Sequence, residues 1–126
     1  MVKKEFTYRG KTLEELQAMS QKDFMSLLPS RERRSVRRGL TEQEKIVMKG
    51  LEKNDNVKTH CRDLIILPKI VGKKIKVHNG KGFEMIQIEP EMIGCRLGEF
   101  VLTRRSVSHS SPGIGATKSS SNVSVK

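Results

Sequence analysis

Lys74-Ile75-Lys76-Val77-His78-Asn79-Gly80-Lys81-Gly82-Phe83-Glu84-Met85-Ile86-Gln87-Ile88-Glu89 is the stretch on which the fold turns. Ile75 and Val77 alternate with Lys74, Lys76 and His78, and alternation sends successive side chains to opposite faces of a strand. Asn79-Gly80-Lys81-Gly82 interrupts the pattern, and Phe83 to Glu89 forms a second strand after it. Apolar alternation on both sides of Asn-Gly is a strong hairpin signal, because those residues tolerate the positive φ that such turns need. Ile75 and Val77 then face a core, and Lys74 and Lys76 face outward.

Working outward, Leu64-Ile65-Ile66-Leu67 is a short β-branched run stopped by Pro68 and reads as a further strand. Downstream, Pro90 to Met92 reads as one helical turn, and Gly94 and Gly98 bracket a tight passage into Glu99-Phe100-Val101-Leu102. Before residue 54 the punctuation is helical. Thr12 with Glu15, Ser20 with Asp23 and Thr41 with Glu44 each set a hydroxyl three residues before an acid, the spacing of a helix start. Helices are predicted over 13–19, 21–28, 31–38 and 42–53. Pro29 ends the second, Ser30 caps the third, and Gly39 suits the position just past its end. Leu13, Leu16, Phe24, Leu27, Leu28, Ile46, Val47 and Leu51 are the expected buried residues of these helices.

The expected fold is therefore α+β: short N-terminal helices packed with a small, mainly antiparallel three-stranded sheet. Residues 106–126 contain eight serines and no aromatic side chain, too little apolar surface to offset ordering entropy, so they read as a disordered basic tail. The organisation follows as a helical extension over 1–56, an α+β core over 57–105 and a flexible tail over 106–126.

Lys and Arg number 25 against 14 Asp and Glu, a net charge of +11 over 126 residues, which implies a polyanionic partner. The excess is densest in Arg31-Glu32-Arg33-Arg34-Ser35-Val36-Arg37-Arg38. At about 100° per residue, Arg31, Arg34, Arg37 and Arg38 share one side of a helix, with Arg33 at its margin and Val36 opposite. Arginine's planar fork suits phosphate, and such crowding of like charge is costly without an anion. A second cluster, Lys69, Lys73, Lys74, Lys76 and Lys81, runs along the strand and its turn, and Arg104-Arg105 stands at the root of the tail. The five aromatic residues are too few for both a core and a base-stacking platform, so recognition is expected to work through charge and shape.

Other function classes find little support. No apolar run approaches the roughly 20 residues that span a bilayer, and Val36 alone is too small an apolar face for interfacial insertion of the arginine helix. The chain reads as soluble and cytoplasmic, with no membrane partner. No G-x-S-x-G elbow occurs, Gly113-Ile114-Gly115-Ala116-Thr117-Lys118 lacks the spacing of a phosphate loop, and Glu89 with Glu91 is an ordinary polar pair. His60-Cys61, His78 and Cys95 lack zinc-ligand spacing. No catalytic residue, metal, cofactor or small-molecule substrate is expected. A free regulatory nucleic-acid binder is the rival to an assembled one.

Val57-Lys58-Thr59-His60-Cys61-Arg62, Ile65-Ile66-Leu67-Pro68, Val71-Gly72, Val77-His78-Asn79-Gly80-Lys81 and Met92-Ile93-Gly94-Cys95-Arg96-Leu97-Gly98-Glu99-Phe100 resemble the core of the universal small-subunit ribosomal protein family S-nineteen. The resemblance covers about residues 57–105. Met19-Ser20, the arginine helix and Arg38-Gly39-Leu40 look like the extension of archaeal and eukaryotic members, as does His109 to Lys118, and an archaeal source is favoured. The resemblance implies a structural protein bound to small-subunit rRNA in the 3′ major domain of the head, beside protein S-thirteen, with its tail directed toward the decoding region and tRNA. It adds Arg62 and Arg96 as expected RNA ligands, agrees with the charge reading at Lys81 and Arg104, and leaves Lys118 as an anchoring charge in the tail. Asp63 stands where many bacterial members have an arginine.

Overall fold

The computed structural model describes residues 5–54 and 56–108. Four helices lead: α1 (Leu13–Ala18), α2 (Gln21–Leu27), α3 (Ser30–Arg38) and α4 (Glu42–Lys53). Their starts follow the predicted chemistry. Thr12 and Thr41 each form a reciprocal capping box with Glu15 and Glu44, and the Ser20 hydroxyl accepts from the Asp23 N–H. Gly39 closes α3 at φ +93°, the backbone region that glycine enters without steric cost. Ser30 does not cap α3. The helix begins at Ser30 itself, Pro29 takes the capping position, and the Arg33 N–H donates to the Pro29 carbonyl.

The three-stranded sheet is mixed, in the order β1 (Asn56–Thr59), β2 (Lys74–His78), β3 (Phe83–Gln87). β2 and β3 form the predicted antiparallel hairpin, His78 opposite Phe83. Its loop is four residues long, and only Gly80 within it has a positive φ, because the Asn79 side chain accepts from the Lys81 and Gly82 N–H groups and holds the turn. The partner on the other side of β2 differs from expectation: β1 pairs parallel, and Leu64-Ile65-Ile66-Leu67 is not a ladder strand. A parallel pair needs a crossover of a dozen residues or more, and residues 60–73 are that crossover. The apolar run lies within it, buried throughout. Its backbone bonds to the segment after the sheet instead: Ile66 N–H to Cys95 O, Gly94 N–H to Ile66 O, Leu97 N–H to Leu64 O.

Leu64 and Ile66 enter a cluster with Val47, Leu51, Ile75 and Val77, whereas Leu67 enters a second cluster with Leu16, Phe24, Leu28 and Ile93. The run thus separates two cores, one under the sheet and one under the N-terminal helices, which is why it is apolar without alternation. Ile46 is 69 % exposed, against expectation, because α4 turns Val47 and Leu51 inward and places Ile46 about 100° off that stripe. Leu13 and Leu27 are half-buried beside the second core. Glycine at 98 answers a close approach: a Cβ there would lie 3.0 Å from the Arg62 Cβ and 3.1 Å from its carbonyl.

Candidate nucleic-acid interface

α3 turns one wall toward solvent. Arg31, Arg34 and Arg38 stand there with Ser30, Ser35 and Arg96 around an open depression of about 760 Å³. Arg37 departs from the predicted grouping and lies with Arg33 on the far side of Arg34. Arg33 also has work inside the chain: its guanidinium donates to the carbonyls of Ser26 and Leu28, at 3.1 and 2.8 Å, satisfying the end of α2. The single acid of this helix, Glu32, reaches Arg96 at the edge of that depression, its carboxylate 3.9 Å from the Arg96 Nε. Arg96 bonds on its other side to Asp63 at 3.0 Å. Asp63 and Glu32 thus hold Arg96 at the edge of the depression, joining α3 to the core.

The lysines divide among different surfaces. Lys74 and Lys76 lie on the outer face of β2 with Lys58 of β1 opposite Lys76. Lys69 is exposed on a short 3-10 turn beside α1, away from that face. The half-buried Lys73 ammonium donates to the Leu51 carbonyl at the end of α4. Lys81 and Arg105 share a depression of about 440 Å³ with Asn79 and Thr103. The Arg105 guanidinium also stands 3.8 Å from Glu84, and Arg104 is exposed. Lys118 and residues 109–126 lie outside the described residues.

Arg62 points inward. Its two terminal nitrogens donate to three carbonyls, His78 at 2.6 Å, Gly98 at 2.7 Å and Val101 at 2.6 Å, tying the end of β2 to the 3-10 turn at Leu97–Phe100. Lys58 and His60 are outward-facing residues that charge counting passed over. Their period-2 continuation through Asn56–Thr59 was the available signal, weak because the strand is four residues long.

Cys95 is not an activated nucleophile. Burial, then the carboxylates of Glu99 and Glu32, push the Cys95 thiol up and keep it protonated. No group of three His, Cys, Asp or Glu side chains able to hold a metal ion occurs among the described residues.

A family model described as Ribosomal protein S19 matches residues 31–109. A protein of Haloquadratum walsbyi named small ribosomal subunit protein uS19 is 53 % identical over 129 residues, covering 97 % of this chain and 92 % of its own length.

Proposed function

Because the chain belongs to the ribosomal protein S19 family, we propose that it binds small-subunit rRNA in the 3′ major domain of the head through its arginine and lysine surfaces. The protein is an archaeal-type, non-enzymatic component of the small subunit of the cytoplasmic ribosome, with rRNA and ribosomal proteins as its partners. Within the proposed placement protein S-thirteen is its neighbour, and residues 106–126 run toward the decoding region and tRNA.

The observation that carries the RNA reading is the convergence of Arg31, Arg34, Arg38 and Arg96 on one depression with two serine hydroxyls beside them. Guanidinium forks and hydroxyls converging on an open concavity match the oxygens of a phosphate backbone. Lys74, Lys76 and Lys81 supply charge on a separate element, so more than one RNA segment is engaged. The 1–56 extension carries the arginine ridge, and the 57–105 core carries Arg96 and these lysines.

Replacing Arg31, Arg34 and Arg38 together by Ala is expected to flatten the salt dependence of rRNA binding. Each lost phosphate contact lowers the slope of log K against log salt by about 0.7–0.9, so the triple variant loses about 2–3. All three side chains are exposed, and the melting temperature should stay near that of the wild type. Filter-binding titrations over a range of salt decide this, and an unchanged slope would return the ridge to solvent.

Residues 106–126 supply Pro112, Gly113, Gly115 and Lys118 among many serines, a composition suited to lying along RNA and not to packing a core. Deleting them should leave the domain folded and able to enter subunits, yet weaken tRNA binding on reconstituted small subunits. Wild-type tRNA affinity together with normal decoding accuracy would remove the tail from this reading.

A further inference from the structure

The outer face of the sheet carries rings as well as lysines. Strand register sets Lys58 of β1 beside Lys76 of β2, Lys76 beside Met85 of β3, and His78 beside Phe83. His60 follows β1 and meets His78, their ring centroids 4.3 Å apart and tilted by 31°. Phe83 stands edge-on to both imidazoles, at 5.1 Å from His60 and 5.0 Å from His78. The Lys58 ammonium lies 5.7 Å from the Phe83 centroid. The Gly80 N–H donates to His78 Nδ1, so the hairpin turn itself holds that imidazole in place.

Phe83 and Met85 are 41 % and 56 % exposed, although both stand in regular strand with inward positions available one residue away. Every charged residue at a strand position of this face is a lysine: Lys58, Lys74 and Lys76. Exposed apolar surface rimmed by charge of one sign marks a binding site, and the sign selects the partner. A nucleotide joins a flat π-surface to a phosphate in one unit and so matches rings beside ammonium groups. A protein neighbour would have to bring carboxylates to the rim of an apolar contact.

We propose that His60, His78 and Phe83 form a stacking platform for an unpaired nucleobase of the rRNA, with Lys58 and Lys76 meeting the flanking phosphates. The platform rests on the RNA-binding reading but is separate from the arginine ridge, and it adds a base-directed contact to a surface otherwise reading charge and shape. Base–aromatic stacking is sequence-tolerant, so the platform selects for an unpaired position more than for a particular base.

The test uses the full chain with transcripts of the small-subunit rRNA 3′ major domain, titrated over a range of salt. Phe83→Leu is expected to lose roughly 10-fold in affinity at every salt concentration with the slope unchanged, because a stacking contact and no phosphate contact is removed. His60→Ala, at an exposed position, should move the same way and serves if the Phe83 variant melts early. Ultraviolet irradiation of the wild-type complex should yield a nucleotide adduct on the peptide carrying Phe83 or His60. Wild-type affinity in both variants would overturn the platform. So would rRNA binding at wild-type strength combined with loss of the variants from salt-washed subunits, which would make the face a protein dock. Absence of salt-dependent rRNA binding by the wild type would instead overturn the RNA reading itself, and the platform with it.

Discussion

Arg62→Leu is expected to lower the melting temperature of the free protein by about 10–15 °C, a loss of ~3 kcal/mol for a domain of this size. The guanidinium joins the carbonyls of His78, Gly98 and Val101. A hydrogen bond to a charged group is worth about 1.5–3 kcal/mol, and discounting for a side chain only half-buried brings three of them to the stated total. Leucine fills part of the volume but leaves the carbonyls without these donors. Arg62→Lys should recover little, because one ammonium on a flexible stem cannot span carbonyls that a planar fork reaches together. Gly98 belongs to the same arrangement, since its missing side chain lets the backbone lie against Arg62. Circular-dichroism melts of the full chain measure the effect. The resemblance implied a phosphate contact for this residue. A variant melting within a few degrees of the wild type but with a shallower salt slope would restore that role and remove the clamp.

Gly94→Ala is expected to cost ~3 kcal/mol by two separable routes. The residue sits at φ +83°, where an L side chain is strained by about 1–2 kcal/mol. A Cβ there would also lie 2.7 Å from the Tyr8 hydroxyl and 3.3 Å from Leu28 Cδ2, on the tight passage beneath the N-terminal segment. Removing the hydroxyl with Tyr8→Phe in the same chain should return about 1 kcal/mol, the steric share, and leave the backbone share in place. Denaturant titrations of the four proteins in this cycle give the coupling. A zero coupling would mean that Tyr8 moves aside without cost.

Most local structure was legible because its causes lie within a few residues. A threonine three positions before a glutamate caps a helix whatever surrounds it, and all four helices start within one residue of their predicted positions. The β2–β3 hairpin was equally readable, since alternation and Asn79-Gly80 act across a single turn. The basic surface of α3 followed from helical periodicity, and so does the split of Arg33 and Arg37 from Arg31 and Arg38, since at about 100° per residue Arg37 falls within about 40° of Arg33 and roughly 100° or more from Arg31 and Arg38.

Sequence by itself thus determined the α+β class, the helices, the hairpin and a strongly basic surface. Tertiary structure alone decided which strand lies parallel to β2, because Asn56–Thr59 and Leu64–Leu67 are both short β-forming stretches and only the folded crossover shows which has the edge. It alone decided the duties of the arginines. Arg62 bonds to carbonyls 16, 36 and 39 residues away, and Arg96 to an aspartate 33 residues away. A guanidinium facing water and one facing buried carbonyls have the same sequence signature, and the difference is set by what the rest of the chain packs around them. The ring cluster of His60, His78 and Phe83 has the same origin: three residues from three separate segments meet only once the strands are in register.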